Sequence, residues 1–447
     1  MPSKIKEAIH SALNNIGVDA KEITIEHPAD LSHGDYATSI ALQYAKQVSQ
    51  SPLDFARKIV ESLGTVPGVE RIEIAGPGFI NFHLTREVLN AGIDEARTES
   101  WGKGDLYDGK KVMVEYTDPN PFKEFHIGHL MSNAIGESIS RLIEVSGAEV
   151  KRANYQGDVG PHVAKAMYAY IHHRPNIDND VVRWGLSYKI GNELYESNGE
   201  ARRLIDEINE RIYAGDPDLM SLYKEGRRVS LDHFEELYKF LGTKFDFYFF
   251  ESETAPRGLE LIRKHPEVFR QSDGATVFDG SHTRVFITSK GLPTYEAKEL
   301  GLAELKKEKF SGDIYLTITA SEQDGFFEVV YQAIERILLD VSGKLQHHSH
   351  GMMRFAEGKM SSRQGNVITG EFLLQELIEG AKVRAAESRA DNPAKLAEQV
   401  AVAAIKYQIL KQASNKDIIF DRERALSLEG DSGPYLQYAH ARAHQIV

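Results

Sequence analysis

The feature that most constrains this chain is the segment Pro119-Asn-Pro-Phe-Lys-Glu-Phe-His126-Ile-Gly128-His129-Leu130, which joins a short apolar run, Lys110–Tyr116, to a longer one over Leu130–Ser146. In the longer run Leu130, Ala134, Ile135, Ile139, Leu142 and Ile143 recur at helical spacing, so the segment marks a crossing from strand into helix. His126 and His129 share one side of the helix start and face whatever lies beyond the sheet edge. The first turn of such a helix presents unpaired N–H groups and a positive partial charge, so phosphate is its natural guest. Gly128 removes the side chain that would hold a planar ligand off the backbone, and the imidazoles add donors aimed at oxygens. A nucleoside triphosphate suits the site. By itself the histidine pair also reads as half of a zinc site, which would need further His or carboxylate ligands from elsewhere, or, more commonly, as two solvated helix-cap residues.

A second segment far downstream bears on the choice. Glu357-Gly358-Lys359-Met-Ser361-Ser-Arg363-Gln-Gly365-Asn366 is a glycine-bracketed loop carrying cations and hydroxyls. Lys359 and Arg363 can fold over a polyphosphate and neutralise charge that grows as it is attacked. Alone, this too has a bland reading, a solvated basic turn.

Taken in order, His126-Ile-Gly-His129 and Lys359-Met-Ser-Ser-Arg363 resemble the HIGH and KMSKS signatures of class I aminoacyl-tRNA synthetases. Ser362 stands where that consensus has its second lysine, and Arg363 where it has its last serine. The run Glu115-Tyr-Thr-Asp118-Pro-Asn120 and the run Tyr435–Arg442 resemble the arginyl-tRNA synthetase family in particular, and the likeness spans essentially the whole chain. It implies ATP-dependent activation of L-arginine and transfer to the 2′-hydroxyl of tRNA(Arg), with Mg²⁺ accompanying ATP. It also implies that tRNA is needed for the activation step, and that the protein is a monomer.

Carried over position by position, the resemblance makes His126, His129 and Lys359 the catalytic residues. It assigns ATP to His126, Gly128, His129, Lys359, Ser361 and Arg363, and arginine to Asp118, Asn120, His129, Tyr295, Glu299 and Gln323. Tyr295 and Glu299 lie one turn apart on a helical run. A carboxylate beside a phenol is a sensible clamp for a guanidinium, whose planar fork takes two parallel bonds. Glu299 replaces the family's usual aspartate. Outside the family context, Lys298-Glu299 reads as a solvated surface pair. The chemistry needs no protein nucleophile, only alignment of reactants and stabilised phosphate charge.

The expected fold is α/β: a Rossmann-like, doubly wound parallel catalytic domain over residues 109–370, with a helical insertion over about 176–242. An N-terminal α+β domain over 1–108 resembles the family's additional tRNA-contacting domain, and in it His33 and Asp35 read as local turn-bonding residues. Residues 371–447 look like the start of an α-helical anticodon-binding domain that ends short of the family's usual length, which implies a truncated chain.

Composition narrows the surroundings. The chain of 447 residues has no cysteine, which excludes disulfides and thiolate metal sites and fits a cytoplasmic protein. No run approaches a membrane span, and the first residues lack a signal peptide's apolar core. A net charge of −13 speaks against nucleic acid at face value, but bulk charge does not locate charge. The clusters Lys224–Arg228 and Lys306–Lys309 read as solvated helix faces or as phosphate tracks. His347-His-Ser-His350 invites a metal, but we read it as the tail of a strand leading to the Lys359 loop and expect no protein metal site. Two rivals follow: a non-catalytic or weakly active tRNA-binding fragment of the same family, and a smaller HIGH-type nucleotidyltransferase.

Overall fold

The computed structural model describes residues 1–98, 100–355, 369–388 and 390–446. The chain divides into two compact units, Met1–Lys103 and Gly104–Val447.

In the first unit, helix α1 (Pro2–Asn15) turns Ile5, Ile9, Ala12 and Leu13 inward, the stripe its sequence spacing requires. Strand β1 (Tyr36–Thr38) is followed by α2 (Ile40–Tyr44) and α3 (Pro52–Leu63), and Ser51 caps α3 by accepting from the Asp54 N–H at 3.1 Å. Strands β2 (Val69–Ala75) and β3 (Phe79–Leu84) complete an antiparallel sheet of order β1-β3-β2, and α4 (Arg86–Ala96) follows. Phe55, Ile59, Ile80 and Phe82 meet α1 in one core. Asp35, expected to bond within its own turn, reaches further: its Oδ2 accepts the Leu84 N–H at 2.7 Å and ties that turn to β3.

The second unit is built on the expected parallel sheet. Strand β4 (Lys111–Glu115), helix α5 (Ile127–Val145) and strand β5 (Glu149–Gln156) form the first βαβ step. Helices α6 (Pro161–His172), α7 (Asp180–Ser197), α8 (Gly199–Tyr213) and α9 (Pro217–Leu241) intervene before β6 (Phe247–Phe250). Helix α10 (Glu251–Lys264), the antiparallel strands β7 (Arg270–Ser272), β8 (Ala275–Asp279) and β9 (Thr283–Ile287), and α11 (Tyr295–Lys309) come next. Then follow β10 (Ile314–Ala320), α12 (Asp324–Ile337) and β11 (Leu345–His350). The sheet order β11-β10-β4-β5-β6, parallel at every pairing, places the reversal of strand order between β4 and β10.

Both faces of this sheet are covered, which explains why β4 reads as a continuous apolar run and not an alternating one. Val112 and Val114 pack with Leu130, Ala134 and Ile135 of α5 on one side, whereas Met113 packs with Phe249, Leu300 and Val330 on the other. The long charged run of α8 is solvated outside and buried through Ala201, Ile205, Ile208 and Ile212, which join Trp184 and Met167 in a core of the inserted helices.

Strand β12 (Met353–Phe355) pairs in parallel with β13 (Ile418–Phe420). Helices α13 (Gly370–Ala386) and α14 (Pro393–Leu410) pack Leu373, Leu374, Leu377, Ala401, Ala404 and Ile405 into the α5 side of the sheet, and α15 (Arg422–Ala425) and α16 (Gly433–Ile446) follow. Among the described residues no helix is long and apolar enough to cross a membrane.

Candidate functional site

In open α/β sheets the carboxyl ends of the strands near the reversal point are where ligands gather. Here the chain leaving β4 adopts left-handed backbone at three side-chain-bearing residues, Thr117 (φ 82°), Asp118 (φ 48°) and Phe122 (φ 68°). Such conformations persist only where the surroundings over-determine them. The Thr117 N–H donates to Ser132 Oγ at 3.0 Å, the Tyr155 N–H donates to Asp118 Oδ1 at 2.7 Å, and the Phe122 N–H donates to Ser230 Oγ at 2.9 Å. Asn120 is accommodated because residue 157 is glycine, where a Cβ would lie 2.1 Å from Asn120 Oδ1.

The loop delivers His126 to the N-cap of α5, with His129 in its first turn. Their rings stack with centroids 3.5 Å apart, and Phe125 lies against His129 at 5.3 Å. The His126 N–H donates to His129 Nδ1 at 3.2 Å. Burial, reinforced by Lys123, holds the His126 imidazole down to about 4, and burial holds His129 well below the usual range, so both are neutral near pH 7. The His126 ring overlies Gly128, 2.9 Å from where a Cβ would stand, so the space kept open by this glycine is used by imidazole.

The lysine-bearing segment with Lys359, Ser361 and Arg363 lies outside the described residues. Its downstream neighbour is placed: Thr369 forms an antiparallel bridge with His126, and the Gly370 N–H donates to Phe125 O at 2.8 Å. The chain returning from the lysine segment therefore docks on the histidine segment, across more than two hundred positions of sequence.

Beside these elements lies a cavity of ≈ 580 Å³ lined from the carboxyl ends of four strands: Glu115 as the last residue of β4, Tyr155 and Gly157 with β5, Glu251 after β6, and Thr319 with Gln323 at the end of β10. Asp118 and Asn120 enter from the strained loop, and Tyr295, Glu296 and Glu299 from the first turns of α11. Thr294, which precedes them, is fastened to β9 through its Oγ1 to Val285 O at 2.7 Å.

Six carboxylates line this cavity: Glu115, Asp118, Glu251, Glu296, Glu299 and Glu322. Three are matched by the protein's own cations: Glu115 by Lys306 at 2.7 Å, Glu251 by Lys298 at 2.6 Å, and Glu296 by Arg284 at 3.0 Å. Asp118, Glu299 and the exposed Glu322 have no ion-pair partner among the described residues. Burial, then repulsion from Glu115, pushes Glu299 up to about 8, and the same causes raise Asp118 well above the carboxylate range. A site where acids are this reluctant to ionise is short of positive charge.

Of the residues expected to hold arginine, Asp118, Asn120, Tyr295, Glu299 and Gln323 share this cavity, and His129 does not line it. The reason is local: His129 is packed under α5's first turn, its Nδ1 taken by the main chain. Lys298 is only 4% exposed, which overturns the solvated-pair alternative. The basic clusters also send cations inward, Lys306 to Glu115 and Arg227 to Asp158 at 2.8 Å. Asp158, completely buried, accepts from the Ser252 N–H and Oγ, Tyr223 OH and Arg227 Nε, a role that joins the turn after β5 to α9 and α10. Along β11, His347 Nε2 meets Thr319 Oγ1 at 2.8 Å and His348 Nε2 meets Ser414 Oγ at 2.7 Å, so these rings serve neighbouring strands and loops.

Residues that the sequence did not single out are Glu115, Tyr155, Glu251, Arg284, Glu296 and Thr319. Glu115 carried a usable signal, as the last residue of an apolar strand leading into the histidine segment. Arg284 carried none, since it arrives from a hairpin.

Comparison with known proteins adds two family models: "tRNA synthetases class I (R), catalytic domain" matches residues 98–422, and "Arginyl tRNA synthetase N terminal domain" matches residues 3–84. Among curated proteins, the arginine–tRNA ligase of Borrelia garinii is 30% identical over 97% of this chain and 77% of its own length. That of Limosilactobacillus reuteri is 30% identical over 99% of the chain and 81% of its own. Among solved structures, Thermus thermophilus arginyl-tRNA synthetase superposes with TM-score 0.75 at 24% identity, covering 99% of this chain and 81% of that one. At that identity the likeness concerns the fold.

Proposed function

Since this chain belongs to the arginyl-tRNA synthetase family of class I synthetases, we infer that it joins L-arginine to tRNA(Arg), driven by ATP, and propose a division of labour among its residues. The observation that carries the substrate is the carboxylate-lined cavity in which Asp118 and Glu299 have no counter-ion among the described residues. Arginine brings two cations: its guanidinium goes to Glu299 with Tyr295 and Gln323, and its α-ammonium to Asp118 with Asn120. The substrate carboxylate is then left facing the α5 N-terminus, where ATP binds.

There His126 and His129 donate to the phosphates, with Lys359, Ser361 and Arg363 closing from the other side. The arginine carboxylate oxygen attacks the α-phosphorus and the bond to pyrophosphate breaks, while Lys359 meets the charge that moves onto it. The tRNA 2′-hydroxyl then attacks the adenylate carbonyl and AMP leaves. Mg²⁺ belongs to the substrate, arriving on the triphosphate oxygens. We assign residues 1–108 to tRNA contact, 109–370 to catalysis with its insertion at about 176–242, and 371–447 to the anticodon-binding region, in a cytoplasmic monomer.

An intact arginine cavity favours catalysis over the scaffold reading. The test is ATP–pyrophosphate exchange with arginine, with and without tRNA: exchange that depends on both supports the assignment, and exchange indifferent to arginine overturns it.

A further inference from the structure

We propose that Lys298 is a specificity-determining residue of the arginine cavity, cancelling Glu251 so that the wall offers a guanidinium one carboxylate site and not two; this rests on the arginine reading above. Glu251 opens α10 directly after β6 and lines the cavity together with Glu299. Lys298 precedes Glu299 on α11, and its Nζ lies 2.6 Å from Glu251 Oε2, 3.4 Å from Val159 O and 5.0 Å from the centre of the Tyr295 ring. Neither side chain of the pair is more than 5% exposed, so water does not screen the interaction.

Two physical consequences follow. Without the ammonium, Glu251 becomes a further uncompensated acid near Tyr295, and a cationic side chain gains a competing place to dock. A guanidinium needs a carboxylate held in a bidentate geometry, whereas a point ammonium needs only negative charge within reach. Surplus negative charge therefore rewards lysine more than arginine, and the built-in Lys298 ammonium already occupies the place a substrate ammonium would take. Specificity here includes a repulsive element, supplied by the protein's own cation. Arg284 on Glu296 and Lys306 on Glu115 extend the same arrangement along the wall.

The experiment measures tRNA-dependent ATP–pyrophosphate exchange on the full chain with L-arginine and with L-lysine, for wild type, Lys298→Met, Lys298→Arg, Glu251→Gln and the Lys298→Met/Glu251→Gln double variant. In Lys298→Met the arginine-over-lysine ratio of kcat/KM is expected to fall by about tenfold or more, mainly through KM, and to return to within about threefold of wild type in Lys298→Arg and in the double variant. Glu251→Gln, which leaves the ammonium unmatched, is expected to raise the KM for arginine by about tenfold without admitting lysine. A folded Lys298→Met with unchanged discrimination, or a double variant as impaired as the single one, overturns the proposal. Should Lys298→Met fail to fold, Glu251→Gln decides, and wild-type arginine KM there overturns it. Wild type that exchanges no arginine sinks the underlying reading instead.

Discussion

The main-chain N–H of His126 donates to Nδ1 of His129 at 3.2 Å, so the His129 lone pair on that nitrogen is committed and its proton resides on Nε2. The ring is thereby a fixed donor, not a base. His129→Ala is expected to slow adenylate formation by about 10²-fold or more, as loss of a preorganised donor does, and Lys359→Ala to do the same. His129→Gln, whose amide reaches the Nε2 position, should retain more activity than alanine. Single-turnover adenylate formation measures this, and wild-type rates in the alanine variants would remove both residues from the phosphate assignment.

The proposed contact of arginine with Glu299 makes binding a proton-linked event. With its carboxyl pushed up to about 8, the side chain is mostly protonated at pH 7 before arginine binds. A guanidinium stabilises only the carboxylate, so binding must expel the proton. Apparent affinity is expected to rise about tenfold per pH unit between pH 6 and 8 and then level off, with the raised Asp118 acting in the same direction. Calorimetry in buffers of different ionisation heat should register most of one proton released from Glu299 at pH 7, besides any from Asp118, and Glu299→Gln should lose the Glu299 share. Buffer-independent heats in the wild type would contradict the link.

Acid stability carries a second titration. His162 is buried with Nε2 donating to Gly157 O at 2.7 Å, and burial, aided by Lys123, holds it down to about 3. The unfolded chain binds this proton near pH 6.5, the folded chain only far below. The stabilising contribution is therefore complete above pH 6.5 and drains by about 1.4 kcal/mol per pH unit as pH falls toward 3. Urea titrations of His162→Gln should show a shallower loss between pH 6 and 4 than wild type; parallel slopes would exclude the histidine as the cause.

These effects separate what the sequence disclosed from what it concealed. The β4–α5–β5 step was readable because its periods switch from continuous to helical at the histidine segment, and Tyr295, Glu299 and Gln323 could be placed by position within a family pattern. Lys298 could not. Helix α11 is covered on nearly every side, burying Glu296, Ala297, Lys298, Leu300, Gly301, Leu302 and Lys306 alike, so no solvated stripe reveals which charges point inward. Arg284 and Glu251 find their partners only through tertiary packing, and His129 stands outside the cavity lining, its Nδ1 taken by a main-chain bond that no spacing rule encodes. For Lys359, Ser361 and Arg363 the sequence remains the guide, joined to the structure by the Thr369 bridge to His126.

The placement of Glu251 against Lys298 depends on how closely α10 and α11 approach. A Cβ on Gly301 would lie 2.0 Å from Thr254 O, and one on Gly258 1.7 Å from Ala297 O, so the helices touch backbone to backbone at this crossing. The obstructing atoms are main chain and cannot step aside as a side-chain tip would. Gly301→Ala must therefore part the helices, at the 1–3 kcal/mol typical of overpacking, and about 2 kcal/mol is expected here. Parting them also shifts Glu251 and Glu299 relative to each other, so the KM for arginine should rise along with the loss of stability. Gly199→Ala is the control: at the start of α8 a Cβ meets nothing within 4 Å, and alanine there should be neutral or mildly stabilising through helix propensity. Urea midpoints that fall for Gly301→Ala but not for Gly199→Ala, with arginine KM following the first, would tie the substrate cavity to that helix crossing; a wild-type midpoint in Gly301→Ala would show that the crossing yields without cost and that the cavity's geometry is set elsewhere.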